Sequence, residues 1–142
     1  METQVVLDQS SSEIYERNNH NVGVAMWHLQ WCTKYRYKMF GQSKLRTSCE
    51  VAVKECCARH KISIIALNVQ PDHVHLVASL PRGVTDVKAL QLLKGFSSFL
   101  LFRLEPNLRK RYPRGHLWSP GSFSATVGYT ELSTFVEYVK NQ

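Results

Sequence analysis

The sequence is poor in the features that would assign it to several large classes. Its four cysteines, Cys32, Cys49, Cys56 and Cys57, form no CxxC pair, so no disulfide framework or CxxC chemistry is signalled, and a reduced, cytoplasmic setting is expected. No segment near the N-terminus joins a basic start to an apolar signal stretch. No apolar run reaches the roughly 18 residues that cross a bilayer, which excludes a membrane anchor as the purpose of the basic charge. No GxxxxGK[ST] loop is present, so nothing points to nucleotide hydrolysis. Internal repeats and low-complexity linkers are also missing, and 142 residues with 44% hydrophobic content suit one domain with one ordinary core.

Acidic residues are scarce too. Eleven Asp and Glu face eighteen Lys and Arg, a formal charge of +7, and such a balance favours polyanionic partners, nucleic acid first among them. The imbalance is local: Lys34, Arg36, Lys38, Lys44 and Arg46 follow one another with no acid between them. The segment from Arg82 to Arg114 holds eight basic residues against Asp86 and Glu105. Residues 1–19 run the other way, with Glu2, Asp8, Glu13 and Glu16 against Arg17, and read as a flexible acidic leader to a domain over 20–142.

Within that domain the patterning alternates between strand and helix. Val22 to Arg36 is aromatic and β-branched and reads as a strand. Ser43 to His60 has helical spacing with Ser43 as a cap. "KISIIALNVQ" and "HVHLVASLP", separated by Pro71-Asp72, read as an antiparallel hairpin. Val84 to Glu105 returns to helical spacing, capped by Thr85 and stopped by Pro106. "LWSPGSFSATVG" reads as a strand broken at Pro120-Gly121, and residues 129–142 as a last helix capped by Thr130 with Glu131 in its first turn. The order βαββαβ plus one helix predicts an α+β, ferredoxin-like fold with a four-stranded antiparallel sheet.

The most informative stretch is "QPDHVHLVASLP". Side chains at i and i+2 of a strand share a face, so His73 and His75 stand side by side while Val74 enters the opposite layer. Two parallel imidazoles make half of a metal site, or simply a polar face. On the last helix, Tyr138 and Gln142 are four apart and share a face; read singly, Tyr138 belongs to an apolar stripe and Gln142 is a terminal residue. The segments "TKYRYK" and "LRKRYPRGHLW" interleave cations with Tyr35, Tyr37, Tyr112 and Trp118, the composition of a groove for single-stranded nucleic acid.

Together, "HVHLV", "WCTKYRYKMF" and "YVKNQ" resemble, in order and spacing over about 120 residues, the HUH nucleases and in particular the IS200/IS605 single-tyrosine transposases. The resemblance implies His73, His75 and Gln142 as ligands of Mg²⁺ or Mn²⁺ and Tyr138 as nucleophile. Tyr129 is the rival nucleophile, but it lacks a glutamine four residues on. It implies cleavage and rejoining of single-stranded DNA at element ends, through a 5′-phosphotyrosine link and with recognition of end hairpins. Lys34, Arg36, Lys38, Arg109, Lys110, Arg111 and Arg114 are the expected DNA contacts. It further implies a homodimer whose last helix acts in trans. The runner-up readings are a non-catalytic nucleic-acid-binding protein of the same fold and an RNA-processing nuclease, which accounts for the charge but not for Tyr138.

Overall fold

The structure, a computed structural model, describes residues 5–6, 26–128 and 132–141. The elements in chain order are β1 (Val5–Val6), β2 (Met26–Cys32), α1 (Ser43–Arg59), β3 (Ser63–Val69), β4 (His73–Ser79), α2 (Asp86–Leu104), β5 (Phe123–Thr126) and α3 (Leu132–Lys140). The strands form one sheet in the order β1-β3-β4-β2-β5, antiparallel at every pairing. The four expected strands thus take the ferredoxin-like arrangement, with the hairpin β3–β4 beside the first strand and β5 at the far edge. Residues 5 and 6, inside the acidic leader, add a short strand where none was expected. They pair with Asn68 and Leu67 and so occupy backbone groups that the outer edge of β3 would otherwise present.

The helix boundaries follow local chemistry. Thr85 caps α2 as expected, its hydroxyl accepting from the Lys88 amide at 3.1 Å, which satisfies one of the donors a helix start leaves unpaired. Pro106 ends the helix and opens a 3-10 turn, Pro106–Lys110. Ser43 is not a cap: α1 begins on it, and Gln42 takes the cap position without a side-chain bond.

β2 also ends sooner than the composition of residues 22–36 suggests, at Cys32. Tyr35 and Arg36 follow in left-handed backbone, φ 63° and 55°, a conformation costly for bulky residues and kept only where surroundings hold it. The Thr33 hydroxyl donates to the Tyr37 carbonyl at 2.8 Å. Backbone bonds from Thr33 to Asp72 (2.9 Å) and from Phe40 to Pro71 (3.0 Å) pin the segment to the residues before β4, and one from Lys34 to Leu117 (2.8 Å) pins it to the segment before β5.

Strand alternation sorts the side chains into two layers. Leu29, Trp31, Leu67, Val69, Val74 and Leu76 point toward α1 and α2 and form the main core with Cys49, Val53, Leu93 and Leu101. On the other face Met26, Ala66 and Val77 form a second cluster with Val127 and Val139. The amphipathic α3 covers that second face, and so the remaining residues of that parity, His28, Gln30, Cys32, Asn68, His73 and His75, lie on the same side as α3.

Candidate active site

β-register puts the chemistry-bearing residues in rows. His75 stands opposite Gln30 on one side and Asn68 on the other, and His73 opposite Cys32. The rings of His73 and His75 are 4.7 Å apart and nearly perpendicular, while Val74 between them is fully buried in the main core. His75 is itself buried, at 3% exposure, beneath the α3 side rather than on an open face. His73 is partly exposed.

Each histidine is held through its Nδ1. That of His73 meets Asp72 Oδ1 at 2.7 Å, and Asp72 Oδ2 accepts from Arg36 Nε at 3.1 Å. Burial pushes the Asp72 carboxyl up, but the hydrogen bonds and charges of His73 and Arg36 outweigh it and hold the group below its usual range. The Nδ1 of His75 meets Nε2 of His28 at 3.1 Å, with the two rings stacked at 5.4 Å and the His28 ring edge-on to Phe123. Burial pushes the His28 imidazole down, toward its neutral form. The sequence reading missed His28. Its signal was the same alternation as in HxH: in "MWHLQWC" the residues His28, Gln30 and Cys32 share one parity.

The last helix brings Tyr138 to this cluster. Its ring lies 6.4 Å from that of His75 at 88°, and the residue is 54% exposed. Asn68 Nδ2 donates to the Val139 carbonyl at 2.6 Å, and Asn68 Oδ1 accepts from Gln70 Nε2 at 3.1 Å. In the single chain, therefore, α3 docks on its own sheet and Tyr138 meets its own His75. Gln142, Tyr129 and the expected cap Thr130 lie outside the described residues.

The donor set fits a divalent ion in part. Both Nδ1 atoms are engaged, and a proton on each Nδ1 would make the Nε2 atoms of His73 and His75 the coordinating nitrogens. Among the described residues no group of three or more His, Cys, Asp or Glu is placed to hold a metal. Two imidazoles would fill two positions of a six-coordinate shell, and oxygen donors from a side-chain amide, substrate or water would have to fill the others.

The basic segments divide. Lys38, Lys44, Lys110 and Arg111 line a cavity of about 530 Å³ with Tyr37 and a lone acid, Glu105. Lys34 lies over the Tyr35 ring at 5.4 Å and Arg111 over Tyr37 at 5.3 Å. Arg109 turns away to stack on Phe102 at 4.8 Å, and Arg114 is exposed. Two of the four aromatic residues read as stacking platforms are not available. Trp118 is buried between Trp31 and Phe40 with its indole N–H donating to Ser97. Tyr112 is 2% exposed, with its hydroxyl donating to the Lys34 carbonyl at 2.8 Å. Tyr35 and Tyr37 are exposed, their rings 5.5 Å apart and tilted at 49°.

No helix among the described residues is long and apolar enough to cross a membrane. By sequence the chain is similar to the ISDra2 transposase TnpA of Deinococcus radiodurans, 28% identical over 116 residues covering 82% of each protein. It is similar also to the transposase for insertion sequence element IS200 of Salmonella typhimurium, 25% identical over 82% of this chain and 75% of that one. By structure it matches the crystal structure of a protein from Deinococcus radiodurans R1, with TM-score 0.69, 26% identity and coverage of 86% and 93%. A more distant likeness in fold, TM-score 0.59 at 14% identity over 81% of this chain and 64% of the other, is to a REP-associated tyrosine transposase bound to a REP hairpin. Residues 21–142, from just before β2 to the end of the chain, match the family model described as "Transposase IS200 like", and the chain belongs to the IS200-like transposases.

Proposed function

We propose that this transposase cuts and rejoins single-stranded DNA at insertion-element ends through a covalent link to Tyr138, with a divalent ion, Mg²⁺ or Mn²⁺, held by His73, His75 and Gln142. The observation that carries the reading is the meeting of Tyr138 with His75, ring against ring at 6.4 Å, on a helix clasped to the same sheet face by Asn68. In the reaction the Tyr138 hydroxyl oxygen attacks phosphorus and the bond from phosphorus to the 3′ oxygen breaks. The enzyme is left with a 5′-phosphotyrosine and the DNA with a free 3′-hydroxyl, which takes up the proton that the phenol gives up. One phosphoester replaces another, so rejoining needs no nucleotide hydrolysis.

A phenol with an ordinary pKa near 10 is a weak nucleophile at neutral pH, and a bound divalent ion would supply Lewis-acid polarisation of the scissile phosphate. The chain's own groups do the rest. Arg36 and Asp72 form an ion pair beside His73. Exposed Tyr35 and Tyr37, with Lys34, Lys38, Lys44, Lys110 and Arg111 around them, offer stacking surfaces and phosphate contacts to an unpaired strand. Hairpin ends are the proposed substrate; a neighbour of the same fold is bound to a hairpin, which supports DNA as the partner.

A second copy of the chain is the other proposed partner, with α3 crossing to complete its neighbour's site. β5 ends the sheet with Phe123 exposed, leaving an edge along which a second sheet can lie. The activity is tested by incubating the protein with labelled single-stranded DNA from beside its own gene and Mn²⁺, then denaturing. A labelled adduct is expected from the wild type and none from Tyr138→Phe, with DNA binding kept. An adduct that survives in Tyr138→Phe, or full cleavage in excess chelator, overturns the assignment.

A further inference from the structure

The HxH pair is surrounded by two residues that the reaction as described does not consume, and they make the same kind of contact. We propose that His28 and Asp72 are positioning residues that set the tautomers of His75 and His73. Each accepts an Nδ1–H and thereby leaves the Nε2 lone pair for the metal. The inference rests on the metal reading of His73 and His75 for its purpose, though not for its geometry.

A neutral imidazole carries one proton on one of two nitrogens, and which one is decided by the hydrogen bonds the two nitrogens make. A histidine can offer Nε2 to a cation only when the proton sits on Nδ1, and a fixed acceptor at Nδ1 holds it there and fixes the ring plane as well. Asp72 Oδ1 at 2.7 Å from His73 Nδ1 is such an acceptor, since a carboxylate held by Arg36 can only receive. For His75 the acceptor is another imidazole, His28 Nε2 at 3.1 Å, and it can receive only if its own proton is on Nδ1.

The sheet register builds this second contact. His28 stands opposite Val77, one step along the same face from His75, which is the diagonal neighbour relation of paired strands. Stacking on His75 and the edge of Phe123 hold the His28 ring in place. The two orienters come from different places, one from the residue before the motif and one from the adjacent strand, yet both act on Nδ1. Both imidazoles are thereby aligned to present the same nitrogen.

The test uses the full chain with ¹⁵N-labelled histidine, metal-free, at a pH where the rings are neutral. Side-chain nitrogen shifts should show His73 and His75 as Nδ1–H tautomers in the wild type. His28→Leu should move His75 toward the Nε2–H form without changing His73, and Asp72→Ala should do the reverse. His28→Gln, whose amide oxygen can accept the same bond, should restore the His75 tautomer. In a Mn²⁺ titration the His28→Leu and Asp72→Ala chains should bind about 10-fold more weakly or worse than the wild type, and His28→Gln should recover most of that loss.

A thermal melt on each variant establishes that it is folded; should His28→Leu not fold, the smaller His28→Ala and the Asp72→Ala chain give the same two readouts. A His75 tautomer that ignores the loss of His28, or Mn²⁺ affinity unchanged within twofold in both variants, overturns the proposal. Wild-type protein that binds no Mn²⁺ would sink the metal reading, while the tautomer measurement still decides whether His28 and Asp72 orient the pair.

Discussion

A residue's surroundings decide what the same side chain does, and the aromatic residues of this protein make the contrast measurable. Trp118 and Tyr35 both sit in cationic, aromatic stretches, yet one is walled in by Trp31, Phe40 and Ser97 and the other is 66% exposed. Trp118→Ala should therefore cost about 3–5 kcal/mol of stability, read in a denaturant melt. Tyr35→Ala should leave the melt unchanged and weaken single-stranded DNA by about 1–3 kcal/mol. The reverse pattern in melts and binding isotherms would overturn the division. Tyr112 carries a pH signature: burial pushes its phenol up to about 12. A raised acid group favours folding below its unfolded pKa near 10, and this contribution drains away as pH climbs toward 12. Stability should fall across that alkaline window, and Tyr112→Phe should flatten the fall; an unaltered slope in the variant would remove Tyr112 as its source.

At the scale of elements, the question is what seats α3. A nine-residue helix is marginal alone, since isolated helices below roughly 12 residues barely form in water. Its stability must come from docking. Val139 is fully buried against β3 and β4, Val136 packs beside it, and the Asn68 amide donates to the Val139 carbonyl. Asn68→Ala leaves a buried carbonyl without that donor, a penalty of about 1–3 kcal/mol. Amide exchange in α3 should quicken by roughly 5-fold or more, and adduct formation at Tyr138 should drop with DNA affinity unchanged. If exchange and adduct both match the wild type, the clasp has no part in holding the nucleophile.

For the whole molecule, charge and assembly are what matter. A formal charge of +7 with Lys38, Lys44, Lys110 and Arg111 around one cavity implies that binding releases several condensed counterions. The logarithm of DNA affinity should then fall steeply and linearly with the logarithm of salt, and removal of one of these cations should lower the slope by about 1. Equal affinity for plain duplex and for a hairpin with single-stranded flanks would argue for another partner. Assembly is tested with chains inactive by themselves. If α3 crosses within a dimer, His73→Ala and Tyr138→Phe chains refolded together form mixed dimers with one intact site and recover part of the cleavage. If α3 stays on its own sheet, as in the single chain, every site lacks a group and mixing restores nothing.

The chain sequence by itself determined the local facts: where apolar spacing runs at two or at 3.6 residues, that Thr85 caps a helix, that His73 and His75 share a face, and that cations outnumber acids. Such properties depend on near neighbours and on backbone geometry, and near neighbours are written in the sequence. What only the tertiary structure decided concerns contacts across many residues. The role of His28 depends on β2 pairing with β4 in one register, which places residues 28 and 75 in contact. The strand at residues 5–6 exists only because β3 offers an edge. Trp118 is core and Tyr35 surface because the turn at Thr33 folds back onto Asp72 and Leu117. Composition shows none of this, since one aromatic among cations looks like another until packing has removed it from water or left it there.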